Sequence, residues 1–194
     1  MKIKSTLLIV FFICSLGLSA QYFSLKRTDW TLGLSSHIVV DGGKEMNFPF
    51  QTKAWNFVPY PSRLTAEAYL VKGWSVQTEL AYTQYKVGNI LDNVATTKSG
   101  TYFGFDANAK FAMSHWTKKR GWFDPYLTFG YGYTMRSLAK NVHTGNSNLG
   151  LGCNFWIYEG FGLNLQGLGK FAWKGGTKSN YSHYSVALVY KFKP

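Results

Sequence analysis

The stretch PYLTFGYGYTMR, residues 125–136, alternates large apolar residues with small neutral ones. Every second position from Leu127 to Met135 is apolar or aromatic, whereas the positions from Thr128 to Thr134 hold only threonine and glycine. Because successive side chains of a strand point to opposite faces, this period of two predicts a β-strand. Soluble strands carry many Lys and Glu on the polar face, whereas small neutral residues suit the confined interior of an eight-stranded barrel. The stretch therefore predicts a barrel strand whose aromatic residues face lipid.

A second stretch, TYFGFDANAKF at residues 101–111, shows the same alternation with charges on its polar face. Phe103 and Phe105 lie on one face of the extended chain, and Asp106 and Lys110 lie on the other. In a soluble lipocalin-like barrel, which is the alternative fold, the phenylalanines would form the core. The apolar faces of the predicted strands are almost free of charge, so we expect these phenylalanines to face lipid.

Six further segments repeat this pattern between turn residues. The eight predicted strands cover residues 30–40, 62–71, 74–85, 101–111, 125–136, 148–157, 161–171 and 181–192. No helical segment of convincing length lies among them. The sequence therefore predicts an all-β fold, an eight-stranded antiparallel up-and-down transmembrane β-barrel.

The connections between these strands alternate in length. Those at 72–73, 114–124 and 158–160 are short or moderate. The longer ones are predicted at residues 41–61, 86–100, 137–147 and 172–180. Short turns at one end and longer loops at the other are typical of an outer-membrane barrel, and an even strand count places both termini on the periplasmic side.

The first twenty residues, 1–20, predict a secretory signal peptide. A basic start, MKIKS, precedes the apolar run TLLIVFFICSLGL, and a small-residue cleavage site ends at Ala20. The predicted barrel domain, 21–194, contains one cysteine, Cys153, so no disulfide framework stabilises it.

The composition favours a chain that meets lipid through strands. Aromatic residues make up 18% of the 194 residues and charged residues only 15%, whereas soluble domains carry about 25% charged residues. After the predicted signal peptide, no apolar run reaches the roughly 20 residues of a membrane helix. The formal net charge of +12 favours anionic lipid head groups as partners, and export excludes nucleic acid.

The sequence resembles the small outer-membrane β-barrels similar to the OmpA transmembrane domain and OmpX. The stretches FDPYLTFGYGYT at 123–134 and YSVALVYKF at 184–192 carry this resemblance. The aromatic residues Tyr190 and Phe192 resemble the terminal signal by which the barrel-assembly machinery recognises such proteins, and the Ala-Gln junction after Ala20 resembles Bacteroidetes proteins. The resemblance implies a Gram-negative outer membrane, whereas barrels of this kind serve as anchors, adhesins, enzymes and complex subunits.

The predicted strands place ionisable residues on the inner face. Glu67, Glu79, Asp106, Lys110 and Arg136 are predicted to form an ionic network in the lumen. A register that sets Glu67 directly opposite Glu79 would require a cation beside the two carboxylates, and Lys110 and Arg136 are the candidates. Four more ionisable residues share this face: His37, Lys170, His183 and Lys191. The network predicts a plugged barrel, with a gate or an acid–base pair as the alternative.

A lipid A deacylase is the enzyme alternative. Deacylase barrels resemble this chain in having a His-x-Ser motif on a late strand, here His183-Tyr184-Ser185. Here the motif lies on the last strand, one strand later than in that family. No Asn follows Ser185, and the sequence shows no partner Glu nearby. We therefore predict no catalytic residues, no cofactor and no enzyme activity.

A metal site is not predicted either. His37, His115, His143 and His183 are scattered without ligand spacing. Cys153 is predicted to face lipid, which favours a packing role.

The first long loop is unusually aromatic. Its aromatic residues are Phe48, Phe50, Trp55, Phe57 and Tyr60. Such a loop either folds over the barrel mouth or docks on a partner protein or lipopolysaccharide. We predict a non-enzymatic outer-membrane barrel that is a structural protein or an accessory subunit of a larger envelope assembly, such as a secretion, insertion or uptake complex. A small gated pore or an adhesin is a further alternative.

Overall fold

A computed structural model shows a closed barrel of eight long antiparallel strands. The structure describes residues 28–41, 52–91, 94–117, 121–138, 141–173 and 180–192. The predicted signal peptide, 1–20, lies outside the described residues.

The eight barrel strands follow the predicted segments, except that β9 begins seven residues earlier than predicted. They are β1 (Trp30–Val40), β3 (Arg63–Val71), β4 (Trp74–Tyr85), β7 (Gly100–Ala112), β8 (Phe123–Ser137), β9 (Asn141–Tyr158), β10 (Phe161–Ala172) and β11 (Tyr181–Phe192). Three two-residue strands lie in the loops: β2 (Trp55–Asn56), β5 (Ile90–Leu91) and β6 (Val94–Ala95). One helical turn, α1 (Ser114–Thr117), lies between β7 and β8. No helix in the described part of the chain is long and apolar enough to cross a membrane.

Each barrel strand pairs with its neighbour in the chain, and the last strand closes the barrel on the first. β1 and β11 pair along their whole length, from Trp30 opposite Phe192 to Val40 opposite Ser182. A closed barrel leaves no long unpaired edge, which is the condition for a sheet to sit in lipid. The predicted fold class, an eight-stranded antiparallel barrel, is confirmed.

Tight turns join the strands at one end, which we call the turn end. Lys72-Gly73 and Glu159-Gly160 are two-residue turns in which every residue has a positive φ, from 30° to 91°. Such primed turns match the twist of an antiparallel hairpin. The third connection at this end contains α1.

At the opposite end, which we call the loop end, the connection between β8 and β9 is shorter than predicted. Residues 137–147 were predicted as a long loop, but β8 ends at Ser137 and β9 begins at Asn141. The polar residues of this segment continue the alternation: Thr144 and Asn146 are buried inside the barrel, and Thr134 on β8 donates a 3.0 Å hydrogen bond to Asn146. Polar residues that are typical of a loop instead fill the interior here.

Burial shows which face of the strands is inside. Asp106 is fully buried, whereas its neighbour Phe105 is 46% exposed. Lys110 is also buried, and Leu127 and Phe129 on β8 are exposed. The phenylalanines of β7 therefore lie on the outer, apolar face, and the charged residues lie in the lumen.

Strand glycines make room for this interior. Gly132 lies on β8 opposite Asp106, and a Cβ there would collide with the Asp106 carboxylate. Gly152 on β9 would in the same way meet the Tyr126 hydroxyl group. These glycines are needed for space, because large polar side chains occupy the volume that a side chain at either position would take.

Gly132→Val is therefore expected to prevent correct folding of the barrel, since Asp106 cannot move without breaking its own contacts. Gly167→Ala is the matched control, because a Cβ at Gly167 makes only ordinary contact, 3.4 Å from the Tyr184 ring. Heat-modifiable migration on gels measures the folded fraction of each variant. A fully folded Gly132→Val barrel would contradict this packing.

Candidate functional site

The lumen of the barrel holds a column of buried ion pairs, and this column is the candidate site. All five predicted network residues lie in it: Glu67, Glu79, Asp106, Lys110 and Arg136. They do not form one cluster. They are distributed over three levels, at the turn end, the middle and the loop end, and each carboxylate has its own cation.

The middle level is built around Arg63 on β3. Its guanidinium contacts the Glu79 carboxylate at 2.5 Å and the Gln166 side-chain oxygen at 2.5 Å. It also donates a 3.2 Å hydrogen bond to the Ser35 hydroxyl. Because Glu79 lies on β4 and Gln166 on β10, Arg63 connects two walls of the barrel that are not neighbours in the sheet.

Two histidines complete the surroundings of Glu79. His183 Nδ1 lies 3.3 Å from Glu79 Oε1, and the His37 ring lies 4.6 Å from the His183 ring, centre to centre. His37 Nδ1 is 3.1 Å from the Ser62 hydroxyl. Of the four histidines predicted to be scattered, these two come together because barrel closure pairs β1 with β11.

A second ion pair crosses the lumen at this level. Lys170 on β10 contacts the carboxylate of Asp106 on β7, and both side chains are fully buried. Asn148 donates a 3.0 Å hydrogen bond to the other Asp106 oxygen. β8 and β9 lie between β7 and β10 in the sheet, so this pair also joins walls that are not neighbours.

The predicted register between β3 and β4 is wrong. Glu67 lies opposite Gln77, and Glu79 lies opposite Thr65. An irregularity between Tyr69 and Val71, next to the two-residue turn, shifts the pairing. A close carboxylate pair does exist, but its members are Glu79 and Asp106, which lie opposite each other on β4 and β7. Two carboxylates at cross-strand distance need cations, and Arg63 and Lys170 supply them.

Glu67 instead belongs to the turn-end level. Lys110 contacts its carboxylate at 2.5 Å, and Ser75 donates a 2.6 Å hydrogen bond to the other oxygen. The Lys110 ammonium group also lies 3.9 Å from the centre of the Tyr126 ring. The Tyr126 hydroxyl in turn accepts a 2.7 Å hydrogen bond from Asn164, so polar contacts also cross the lumen at this level.

The loop-end level holds Arg136, which was predicted to neutralise the two glutamates. It lies instead 2.9 Å from Asp41, which follows β1. Its guanidinium carbon is 4.6 Å from the centre of the Tyr181 ring, and the Tyr181 and Tyr102 hydroxyls are 3.1 Å apart. These buried rings and charges fill the barrel beneath the loops.

Sequence reasoning missed Arg63 and Asp41 as members of the column. Arg63 follows the same alternation as Glu67, so strand parity alone would have placed it inside. Asp41 was assigned to the first loop. In the structure β1 stays paired with β11 up to Val40, and Asp41, the next residue, lies beside Arg136.

The histidine cluster bears on the deacylase alternative. His183 and Ser185 both point inward, as expected, but the expectation of no partner glutamate is wrong, since Glu79 contacts His183. No hydrogen bond among the described residues joins Ser185 to either histidine, and Glu79 is already bound by Arg63. In the described part of the chain, no group of three His, Cys, Asp or Glu side chains is arranged to hold a metal ion.

The aromatic first loop is described in part, and Phe48 and Phe50 lie outside the described residues. Asn56 and Val58 are buried at the loop end, and Asn89 donates a 2.9 Å hydrogen bond to the Trp55 carbonyl. The described part of the loop thus packs on the barrel and on the next loop. Its remaining aromatic residues, Phe57 and Tyr60, stay 41% and 48% exposed.

The predicted assembly-signal residues lie on the outer face of the closing strand. Tyr190 and Phe192 are about half-exposed, and their rings are 4.7 Å apart. They pair with Leu32 and Trp30 on β1. A role in recognition by assembly machinery stays a prediction.

Three solved outer-membrane proteins illustrate what this fold is similar to. Neisserial surface protein A (NspA) is 13% identical, with a TM-score of 0.54 over 85% of this chain and 97% of that chain. A major outer membrane protein from Thermus thermophilus is 10% identical, with a TM-score of 0.54 over 84% and 99%. Ail, the attachment invasion locus protein of Yersinia pestis, is 12% identical, with a TM-score of 0.51 over 85% and 97%.

No family model matches the chain, and no curated protein matches its sequence. The closed barrel and the three structural likenesses nevertheless agree on the class. The chain has the fold of the small eight-stranded outer-membrane β-barrels.

Proposed function

We propose that this protein is a non-enzymatic outer-membrane barrel, a structural protein or an accessory subunit of a larger envelope assembly. Both termini lie on the periplasmic side, and the loop end faces outward. The observation that carries the proposal is the lumen, which side chains cross and fill at three levels. A charge-paired interior crossed by side chains suits a rigid membrane scaffold better than an open channel.

The outer surface supports the accessory role. Phe57 and Tyr60 remain exposed beside the packed part of the first loop. Exposed aromatic residues next to a rigid support are typical of protein–protein contact sites. The proposal therefore assigns the exposed aromatic pair, Phe57 and Tyr60, to contact with a partner in the envelope.

A mild-detergent pull-down of the tagged protein from outer membranes tests this proposal. Mass spectrometry of the eluate should show a partner in stoichiometric amount. The double variant Phe57→Ser/Tyr60→Ser should lose it. Val94→Ser is the matched control, because Val94 is exposed on the neighbouring loop in β6. Recovery of the barrel alone would show a free-standing structural protein. Loss of the partner in the control variant would show that the contact lies elsewhere on the surface.

The filled lumen also makes a prediction about transport. In planar lipid bilayers the wild-type barrel is expected to show no stepwise ion conductance, because buried side chains cross the lumen at three levels. A large open porin reconstituted in parallel controls for insertion. Discrete conductance steps from the pure barrel would favour the gated pore instead.

The deacylase alternative predicts a different outcome in cells. Ser185→Ala removes the serine hydroxyl of the His-x-Ser motif and, under our proposal, leaves the lipid A acylation pattern unchanged. Mass spectrometry of lipid A from cells with wild-type protein, with Ser185→Ala and with the gene deleted gives the comparison. A pattern that changes in both the deletion and the variant would show an enzyme.

A further inference from the structure

The outer face of the barrel carries an apolar groove of about 780 Å³. It crosses β8, β9, β10, β11 and β1 on the side that faces lipid. Met113 and Phe123 line it at the turn end, and Phe57 lines it at the loop end. The groove therefore extends along a diagonal from one end of the barrel to the other.

Small residues form the floor of the groove. Ser36 on β1, Gly167 on β10 and Cys153 on β9 all face outward at positions where most of the outer face carries Leu, Phe or Tyr. The strand pairing places each of them beside a larger residue, since Gly167 lies opposite Leu151, Cys153 opposite Leu165 and Ser36 opposite Val186. Large neighbours beside small residues produce a depression in an otherwise filled outer face.

The chemistry of the groove fits acyl chains. Its lining is apolar, and it opens toward the medium that surrounds a membrane barrel. If a methylene group takes about the 30 Å³ share of a water molecule, the groove holds roughly 26 of them, which corresponds to about two acyl chains. The volume also falls in the range of roughly 300–1,000 Å³ that is usual for small-molecule sites.

A cation lies at the loop end of the groove. The Lys86 ammonium group is 5.5 Å from the centre of the Phe57 ring, which forms the groove wall there. Lys86 itself is exposed. A lipid with its chains in the groove would bring its head group to this end, where a positive charge complements a phosphate.

The geometry points to a binding site for one molecule of lipid A, the phosphorylated glycolipid of the outer leaflet. Two of its acyl chains occupy the groove floor at Gly167 and Cys153, and a phosphate group meets Lys86. The choice of lipid A over a phospholipid rests on the proposed orientation, in which the loop end faces the outer leaflet. Protease access to the loops in intact cells tests that orientation separately from the site.

Native mass spectrometry of the folded barrel in detergent tests the site with two probes, lipid A and phosphatidylglycerol, at equal concentration. Wild-type protein should retain lipid A in preference to phosphatidylglycerol. Gly167→Leu should weaken retention on the order of a hundredfold, because its side chain takes the place of about four methylene groups. Lys86→Gln should weaken it about fivefold through loss of one charge near the head group.

Two control variants separate the site from general lipid contact. Leu149→Phe changes an outward residue beyond the groove, and Lys72→Gln removes an exposed charge at the turn end. Both should retain lipid A as the wild type does, and gel migration should show all four variants folded. Equal retention of the two lipids, or undiminished retention by folded Gly167→Leu, would overturn the inference.

Discussion

Arg63→Met is expected to lower the free energy of unfolding of the barrel by about 3 to 5 kcal/mol. The Arg63 and Glu79 side chains are both at most 2% exposed and lie 2.5 Å apart. Without the guanidinium, the Glu79 carboxylate would remain buried opposite the Asp106 carboxylate, with the His183 ring 3.3 Å from one of its oxygens. Urea titration of the barrel in lipid vesicles measures the loss.

The double variant Arg63→Met/Glu79→Gln controls for the loss of the arginine side chain itself. Removing both charges leaves no unpaired ion, so the double variant should regain more than half of the stability. Lys98→Met, at an exposed lysine in a loop, should stay within about 0.5 kcal/mol of wild type. If Arg63→Met lowered the free energy of unfolding by less than about 1 kcal/mol, water or another cation would have to stabilise the Glu79 carboxylate.

Lys170→Met is expected to have an effect of similar size, again about 3 to 5 kcal/mol. Lys170 is fully buried, contacts Asp106, and lies 3.4 Å from the Tyr102 hydroxyl. Among the described residues, its loss leaves the hydrogen bond from Asn148 as the strong contact of Asp106. The same urea titration measures it, and unfolding should also become faster, because the pair joins separate walls of the barrel.

Lys170→Met/Asp106→Asn is the matched double variant. The asparagine keeps the volume of Asp106 and can still accept the hydrogen bond from Asn148. Recovery of most of the stability would assign the effect to the unpaired carboxylate. If the double variant were as unstable as the single one, the packing of the lysine chain, rather than its charge, would carry the stability.

The two ion pairs explain how a narrow barrel tolerates two facing carboxylates. Burial of each ion costs several kcal/mol, which only a close partner and further hydrogen bonds offset. Here each carboxylate has its own cation and a polar neighbour. The interior is therefore held by pairs that span the lumen, which is the physical basis for proposing a closed scaffold.

Strand positions could be predicted from the sequence because one face of a barrel strand is apolar toward lipid and the other is polar toward the interior. β1, β4 and β11 begin and end as predicted, since lipid-facing and interior residues alternate over most of each strand. The start of β9 could not be predicted in this way. Its Thr and Asn residues resemble a loop, and only the contacts with Thr134 inside the barrel show that they continue the strand.

Which side chains contact each other in the lumen was harder to predict than which side chains lie in it. Parity places Glu79 and Asp106 inside, but the register of β3 against β4 depends on a local irregularity near Val71 that no residue pattern shows. The contact between His37 and His183 depends on closure between the first and last strands. Such contacts between distant parts of the chain follow from three-dimensional register, which spacing along one strand does not contain.

The central claim is that the apolar face of β7 lies in lipid and its polar face lies in a closed interior. Spin labels at Phe103, Phe105 and Ala107, placed one at a time in a Cys153→Ser background, test it in lipid vesicles. Each label should collide often with dissolved oxygen and rarely with a water-soluble nickel complex. Labels that are immobile and reached by neither reagent would place these phenylalanines in a soluble core, and labels reached by the nickel complex would place them in water. Either result would contradict the membrane barrel.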